Sequence, residues 1–532
     1  MTNRHIFTMA LLASTALIAT PVLAADNAAS QVQMQMQQLQ DQLRTMQQQL
    51  DALKAADASQ KDALQKESDA REAAEKAARD ANLQAGGRNV IQNGTVVMLP
   101  PSNPKVVESG THSFTMSSAD GMWSIQPTGR IHLDMGSYLS QSPEGLTGAG
   151  TNAGGKLQGG VNARRVRLGV TGKAMGDFTY SLILDGGGTN DGSPTGGSAV
   201  LVNTASIGYT GLRNTILEAG YFAQYFTLDE STSSNNILFL ERATPVTLAS
   251  SNVGGDPRFG AGFRTWEPNW WLGAYITASA PGVSHALLDR GVSAIQRFTY
   301  NPVQTALTSV HIGVNAAEVI EVPNGGANTA KSIAFSDRPE LRLDTTQFLN
   351  TGALGTVANP VTGAQIYGVE AAAALGSFFT QAEYFRYVVN RQGKTKAQFD
   401  AGYAQAAYTF GGRHTYSANC GCYGGVVPIT PFSPLQGGMG AFELAARFSY
   451  ANLVDQFDAN LTAASQPNGV NGGQQTNLTL GVNWYWNSNM LWKLNYIHSN
   501  FDKKNPRTSA TVGATKAGIG VDALAARFQI MF

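Results

Sequence analysis

The chain ends in Ala523-Leu524-Ala525-Ala526-Arg527-Phe528-Gln529-Ile530-Met531-Phe532. Every second residue counted back from Phe532 is apolar, whereas the alternate set contains Arg527 and Gln529. This period of two predicts a β-strand with one apolar face, and about ten residues let a tilted strand cross a bilayer. Such an apolar edge would aggregate in water, but a barrel closed within lipid accommodates it. We therefore predict that this stretch closes a transmembrane β-barrel.

The N-terminus has the pattern of an export signal. Arg4 and His5 precede an apolar run over 6–20, and Val22-Leu23-Ala24 offers a small-residue cleavage site. Residues 1–25 are therefore predicted to be a signal peptide. The sequence beyond it contains no apolar run near the roughly 18 residues of a membrane helix. We expect an exported mature chain with no helical anchor.

The composition favours alternating strands joined by polar loops. Of the 532 residues, 14% are charged and 58 are glycine. The charged fraction lies well below the typical value of about 25%. The formal net charge is zero, which gives no support to a nucleic-acid partner.

The two cysteines are Cys420 and Cys422, and both lie in a stretch rich in Gly, Pro and Ser over 419–434. In an oxidising compartment they could form a disulfide or contact a metal, and a purely local structural role is the simplest alternative. Since no His or acidic cluster lies close by in sequence, we predict no metal site.

Residues 30–83 are predicted to form a helical coiled coil. Apolar residues recur there at spacings of four and three, which is the a/d seam of a heptad repeat. A helix this polar cannot bury its seam alone, so self-association is expected, with a monomeric helix as the alternative. Residues 84–120 follow as a linker rich in Gly and Pro. The seam consists of Val32, Met36, Leu39, Leu43, Met46, Leu50 and Leu53.

Residues 121–532 carry strand patterns throughout and are predicted to form an all-β, transmembrane antiparallel barrel of about sixteen strands. Very short joins such as Pro268-Asn269 alternate with long ones such as 227–258, as in barrels with periplasmic turns and external loops. The join 412–439 is an exception, because strand counting places it among the turns. The candidate strands are 123–138, 163–174, 177–187, 203–212, 215–226, 259–267, 270–280, 292–302, 309–319, 366–376, 379–391, 401–411, 440–451, 476–487, 491–500 and 523–532.

Arginines are the candidate functional residues of this barrel. Alternation places Arg165 and Arg167 toward the lumen, whereas Arg164 falls on the lipid phase and is therefore expected at a rim or a bulge. Arg130 lies on the neighbouring strand, and Arg447 also has the lumen phase. Arginines lining a narrow aqueous pore favour anions. The alternative is that they brace the barrel by pairing with the lumen acids Asp134, Asp185, Glu218 and Glu443.

The connection 227–258 is unusually apolar for a long loop, so we expect it either to fold into the lumen as a constriction or to cap the barrel mouth. No catalytic motif is present, since the chain lacks G-x-S-x-G, H-E-x-x-H and a P-loop, and its seven histidines are scattered. We accordingly predict no catalytic residue, no cofactor and no enzyme activity.

Short stretches in a specific order resemble the phosphate-selective porin O and P family from about Gly129 to Phe532. The resemblance implies a sixteen-stranded, trimeric, anion-conducting porin whose third loop folds inward, and residues 30–83 are similar to the coiled-coil extension of many members. The stretches are Ala163-Arg164-Arg165-Val166-Arg167-Leu168, Gly176-Asp177-Phe178-Thr179-Tyr180, Ala219-Gly220-Tyr221-Phe222, Thr232-Ser233-Ser234, Leu240-Glu241-Arg242, Gln381-Ala382-Glu383-Tyr384, Ala441-Phe442-Glu443-Leu444-Ala445-Ala446-Arg447 and Leu480-Gly481-Val482-Asn483-Trp484-Tyr485.

The chain departs from the phosphate-selective members at their selectivity positions. Thr179 and Glu230 occupy positions that correspond to selectivity lysines, and Asn203 replaces an acidic partner. These changes argue against phosphate specificity while leaving porin function intact.

The expected function is passive diffusion of small solutes, chiefly anions and with phosphate as one candidate, through a constriction lined by Arg130, Arg164, Arg165, Arg167 and Arg447. The expected location is the outer membrane of a Gram-negative bacterium, with the barrel in lipid, the helix in the periplasm and a homotrimer as the assembly. An envelope tether that transports little is the structural alternative. A barrel lipase or protease is the enzymatic one.

Overall fold

The computed structural model describes residues 44, 47–48, 66, 69, 89–92, 95–98, 104–109, 113–142, 156–188, 200–254, 257–278, 291–324, 330–504 and 516–532. The chain divides into two units, Met1–Gln84 and Ala85–Phe532. In the first unit the described residues are helical. The predicted signal peptide and the predicted seam from Val32 to Leu53 lie outside the described residues, so both stay predictions.

The second unit is a closed barrel of sixteen antiparallel strands in which each strand pairs with the next along the chain. The strands are β1 Ser124–Ser142, β2 Gly160–Ala174, β3 Phe178–Asp185, β4 Leu201–Leu212, β5 Thr215–Phe222, β6 Arg258–Glu267, β7 Trp270–Thr277, β8 Val292–Gln304, β9 Thr308–Glu321, β10 Val361–Leu375, β11 Phe378–Arg391, β12 Ala397–Phe410, β13 Ala441–Asp455, β14 Val470–Tyr485, β15 Met490–Lys504 and β16 Lys516–Met531.

The C-terminal strand closes the barrel as the sequence predicts. β16 pairs with β1, with Arg527 opposite Asp134. The terminal Phe532 exchanges backbone hydrogen bonds in both directions with Gly129. All sixteen predicted strands are present in order, and several extend further than predicted, as β16 does by starting at Lys516. The pattern misses these extensions because a backbone ladder continues beyond the apolar band, where alternation is no longer required.

Smaller elements complete the unit. The helices are α1 Leu228–Ser231 and α2 Thr244–Val253, with a 3-10 turn at Ala463–Ser465. The predicted linker is not wholly irregular, since it contains two hairpins, and the second of them pairs with β1. The short strand pairs are Asn89–Gln92 with Thr95–Met98, Lys105–Ser109 with Ser113–Ser117, Ser336–Asp337 with Leu349–Asn350, and Tyr416–Ser417 with Cys422–Tyr423. None of the helices in the described part of the chain has the length and hydropathy needed to span a membrane.

The two ends of the barrel differ in their connections. One end, the turn rim, carries two- to four-residue joins such as 213–214 and 376–377, together with the exceptional long join 411–440. Asn214 and Gly376 have positive φ angles of 46° and 62°, which tight turns require. The opposite end, the loop rim, carries long joins such as 223–257 and 322–360. This asymmetry is typical of outer-membrane barrels.

The outer surface of the barrel is apolar. On β14, Leu478, Leu480 and Val482 are exposed, whereas Asn477 and Thr479 are buried on the lumen side, as their alternation predicts. Aromatic rings gather on the outside at the turn rim, where Phe442 stacks on Trp484 at 5.5 Å and Trp492 lies 4.7 Å from Phe528. An apolar band bordered by aromatic rings is the lipid-facing surface of a membrane barrel.

Candidate functional site in the barrel lumen

The third connection at the loop rim, residues 223–257, folds into the lumen and is called the inner loop below. Its apolar residues Phe226, Leu228 and Leu240 are at most 1% exposed. Helix α1 begins after Thr227, whose hydroxyl caps the Glu230 N–H. Of the two alternatives left open by the sequence, the inward fold is the one observed, and burial of the apolar side chains explains it.

Wall side chains hold the inner loop through its backbone carbonyls. Lys493 donates to the Ile237 carbonyl, Asn483 to Leu238 at 2.9 Å, Arg527 to Leu240 at 2.6 Å and Arg447 to Glu241 at 2.9 Å. Buried carbonyls need such partners. Donors from four neighbouring strands therefore fix the stretch 237–241 against the wall from β13 to β16.

The opposite side of the lumen stays open. A cavity of about 360 Å³ lies between the inner loop and the wall formed by β1 to β5. Its lining carries four guanidinium groups and two carboxylates, so positive charge prevails at its surface. The charged lining residues are Arg130, Arg165, Arg167, Arg242, Glu218 and Glu230, and the hydroxyl-bearing ones are Ser181, Thr204, Ser206, Tyr225 and Ser231 to Ser234.

The three wall arginines of the cavity come from adjacent strands. Arg130 on β1 lies directly opposite Arg167 on β2, and Arg165 lies opposite His132. Arg167 is compensated by Asp185 at 2.7 Å. Arg130 instead donates to the hydroxyls of Ser233 and Ser234, at 3.5 and 2.8 Å.

Arg165 is only weakly compensated. Its nearest carboxylate oxygen, on Glu241, lies 3.9 Å away. Its Nη1 is buried and has no hydrogen-bond partner among the described residues. A buried donor without a partner is costly, so this nitrogen is where the predicted anion contact of Arg165 would be made.

Arg164 occupies a bulge. The pairing of β1 with β2 skips Arg164, since His132 lies opposite Arg165 and Leu133 opposite Ala163. The extra residue turns Arg164 into the barrel, where its Nε and Nη2 meet Glu241 at 2.8 and 3.1 Å. The lipid phase of Arg164 predicts a rim or a bulge, and the structure has the bulge. It places the guanidinium behind Glu241 rather than on the cavity surface.

Arg447 also does not line this cavity. Its guanidinium bonds Glu340 at 2.6 Å and lies over the Phe239 ring at 4.5 Å. Glu340 belongs to the join 322–360, which also enters the lumen. Inserted loops supply acceptors for both Arg164 and Arg447, so this geometry gives no support to their contact with solutes, which stays a prediction. Anion contact by Arg130, Arg165 and Arg167 stays a prediction.

Glu241 organises the charges behind the cavity. Burial acts to raise the pKa of this inner-loop carboxyl, but Arg164, Arg165 and Arg527 outweigh burial and hold the pKa well below its usual value. Glu241 is therefore ionised at neutral pH and shared by three guanidiniums. Asp134 pairs with Arg527 at 2.6 Å in the same cluster.

Sequence reasoning missed Arg242 as a site residue. Arg242 lies on the inner loop, where Asp229 and Glu230 each approach it at 3.0 Å. The signal was available, because Leu240-Glu241-Arg242 is one of the stretches that carry the family resemblance. Its position in a loop gave no strand phase from which to infer its direction.

A sixteen-stranded barrel whose third loop narrows a charged lumen defines the class of outer-membrane porins. The family model for phosphate-selective porin O and P matches residues 128–532, and the chain belongs to this family. Porin O of Pseudomonas aeruginosa is 25% identical over 372 residues, which are 64% of this chain and 76% of that protein.

Two solved structures are similar in outline at low identity. The trimer form of OmpT from Vibrio cholerae is 10% identical with a TM-score of 0.43, covering 77% of this chain and 99% of its own. The anion-selective porin from Comamonas acidovorans is 11% identical with a TM-score of 0.40, covering 77% of this chain and 100% of its own.

Proposed function

We propose that this porin conducts small solutes passively with a modest preference for anions, and that its selective region is the cavity beside the inner loop. The observation that carries the proposal is the pair Arg130 and Arg165, which face the cavity without a close carboxylate partner among the described residues. Arginines in a narrow aqueous pore attract anions and oppose cations.

The anion preference is modest because most of the other charged groups that line the cavity are paired with groups of opposite charge. Arg167 is paired with Asp185, and Arg242 is held by two acids. Glu218 on β5 accepts a hydrogen bond from Tyr275 at 2.7 Å and pairs with Arg264 at 3.5 Å. Arg130 and the weakly compensated Arg165 thus supply most of the positive charge that remains in this lining.

A tight phosphate site is not part of the proposal. Glu230 lines the cavity where a lysine would strengthen oxyanion binding, and Asn203 lines it as well. The Thr179 hydroxyl faces the Gly208 carbonyl at 3.4 Å. Stripping water from phosphate requires more positive charge than these residues provide.

The proposal also covers the orientation of the barrel in the membrane and its assembly. The turn rim is assigned to the periplasm, as short turns are in outer-membrane barrels. The predicted coiled coil 30–83 is proposed to clamp a homotrimer from that side, and outer-membrane lipid would surround the barrel.

Planar-bilayer recording tests the proposed function. The purified protein is expected to give a reversal potential of anionic sign in a potassium chloride gradient, and millimolar rather than micromolar phosphate should be needed to reduce chloride current. A cation preference would contradict the anion assignment. Block by micromolar phosphate would contradict the absence of a tight site.

The tether alternative also has an observation in its favour, since three joins (223–257, 322–360 and 411–440) place buried residues in the lumen. The same recordings distinguish a porin from a tether, because a tether with a filled lumen would show no channel events.

A further inference from the structure

The join 411–440 connects β12 to β13 at the turn rim and is called the plug below. Instead of turning tightly, it enters the lumen, where Cys420 and Cys422 are 8% and 5% exposed. These cysteines form a disulfide, which selects one of the alternatives that the sequence leaves open. Neither the disulfide nor the plug is needed to close the barrel.

Distant wall strands hold the tip of the plug. Arg297 on β8 donates to the carbonyl oxygens of Cys420 and Gly421, at 3.0 and 2.6 Å. Trp271 on β7 donates from its indole Nε1 to the Asn419 carbonyl at 3.1 Å. The plug starts at β12 and ends at β13. To reach β7 and β8 it therefore extends across the lumen past β9 to β11.

The same guanidinium links the plug to the cavity. Arg297 Nη1 also donates to the Ser231 hydroxyl at 3.0 Å, and Ser231 lines the cavity. A carboxylate oxygen of Glu370 lies 2.7 Å from Nη2 of Arg297 and holds the guanidinium in place. A change in the two plug carbonyls therefore reaches the inner loop through one buried side chain.

The disulfide shapes the turn that presents these carbonyls. It joins residues two apart, and closing so small a ring restrains the unfolded chain much less than closing a long loop. Its effect is therefore local. Gly421 between the two cysteines has a φ of 55°, and a Cβ there would lie 3.2 Å from Trp271. The bridged turn thus fits closely against the wall.

We propose that the Cys420–Cys422 disulfide is a redox-sensitive latch that holds the plug across the lumen on the periplasmic side. A dithiol reductant supplies the two electrons. Its first thiolate attacks one sulfur to give a mixed disulfide, and its second thiol releases that sulfur, so that both cysteines become thiols and the reductant becomes a disulfide. The freed turn no longer presents two adjacent carbonyls to Arg297, and the plug leaves the lumen.

Release of the plug opens a second path. The cavity is lined by β1 to β5 and the inner loop, with no plug residue in its lining, whereas the plug fills the side of β7 to β13. Conductance is therefore expected to rise by about twofold, and ion selectivity is expected to weaken because the new path bypasses Arg130 and Arg165. The latch requires only that the barrel conducts, so it does not depend on the arginine assignment.

The test records single-channel conductance of the full chain in planar bilayers, with a water-soluble phosphine added to one side at a time. Reduction is scored by thiol alkylation and mass spectrometry of the same sample. Higher conductance after reduction from the turn-rim side supports the latch. Unchanged conductance in protein shown to carry two free thiols overturns it.

The double substitution Cys420→Ser and Cys422→Ser provides a second measurement that does not need access to a buried bridge. This variant is expected to conduct like the reduced protein and to ignore the phosphine, which also controls for effects of the reductant elsewhere. A double variant that conducts like the oxidised protein overturns the proposal. If the variant fails to assemble, the reduced wild-type protein carries the test. Absence of anion preference in the oxidised wild-type protein would count against the arginine assignment alone.

Discussion

Arginines on the two sides of the lumen are compensated to different degrees, although Arg164 and Arg167 on β2 also have carboxylate partners within 2.8 Å. On β8, β13 and β16, the side chains of Arg297, Arg447 and Arg527 are at most 3% exposed and each lies within 2.7 Å of a carboxylate oxygen. On β1 and β2, Arg130 contacts only hydroxyls among the described residues and Arg165 has its nearest acid at 3.9 Å. Lumen phase alone therefore does not make an arginine functional. Acceptors on wall strands, such as Glu370 and Asp134, and on inserted loops, such as Glu340, decide whether it braces the barrel or remains available to a solute.

The largest expected effect comes from breaking a bracing arginine. Arg527→Leu removes both hydrogen bonds to Asp134 and the contact with Glu241, and it leaves Asp134 buried without a counterion. We expect a loss of about 3–5 kcal/mol in the free energy of unfolding, measured by urea titration of the purified barrel.

Arg386→Gln is the matched control for that loss. Arg386 lies on the outer face of β11, is 39% exposed and pairs with Asp400, so its removal should cost about 1 kcal/mol or less. Equal destabilisation by both substitutions would show that the lumen cluster does not brace the barrel.

A smaller effect is expected at the base of the plug, where the His414 ring bonds Glu443 at 2.6 Å and the Gly424 carbonyl at 2.9 Å. Burial and Lys493 act to lower the pKa of His414, but the Glu443 carboxylate and the Gly424 carbonyl outweigh them and raise it. The stabilisation is therefore fully present below about pH 6.5 and is lost as the pH rises through the raised pKa.

Amide hydrogen exchange of the plug measures this loss. Protection over 411–440 should fall between acidic and alkaline pH by the equivalent of one charged hydrogen bond, about 1.5–3 kcal/mol. The variant His414→Gln should show no such extra change beyond the intrinsic pH dependence of exchange. A wild-type profile identical to that of the variant would contradict the role of His414.

The smallest effect is expected from Glu230→Gln, which tests how the charge of the cavity lining affects ion preference. The change removes one carboxylate from the lining and leaves Arg242 held by Asp229 at 3.0 Å. Anion preference should rise, by about 1 kcal/mol or less in the ion's interaction energy. Reversal potentials measure it, with Glu318→Gln as control because Glu318 is exposed on β9. A shift toward cations would show that Glu230 does not face the permeating ion.

Much of the fold could be predicted because period-two alternation records which face of a strand meets lipid. That signal identified sixteen strands, the closing role of Phe532 and the irregular position of Arg164. The period-two signal ends where the strands end. Some partners of Arg447 and Arg297, namely Glu340 and the Cys420 and Gly421 carbonyls, lie on loops that lack a repeating pattern. The sequence could therefore nominate lumen arginines but could not separate the bracing ones from the open ones.

The role of the cavity arginines is decided by the reversal potential of the double variant Arg130→Gln and Arg165→Gln, recorded beside wild type and Arg386→Gln. Removing the guanidiniums of Arg130 and the weakly compensated Arg165 from the cavity lining should shift the potential in a potassium chloride gradient toward cation preference, whereas wild type and the Arg386 control should share the same anion preference. A wild type that prefers cations, or a double variant that matches wild type, would contradict the account.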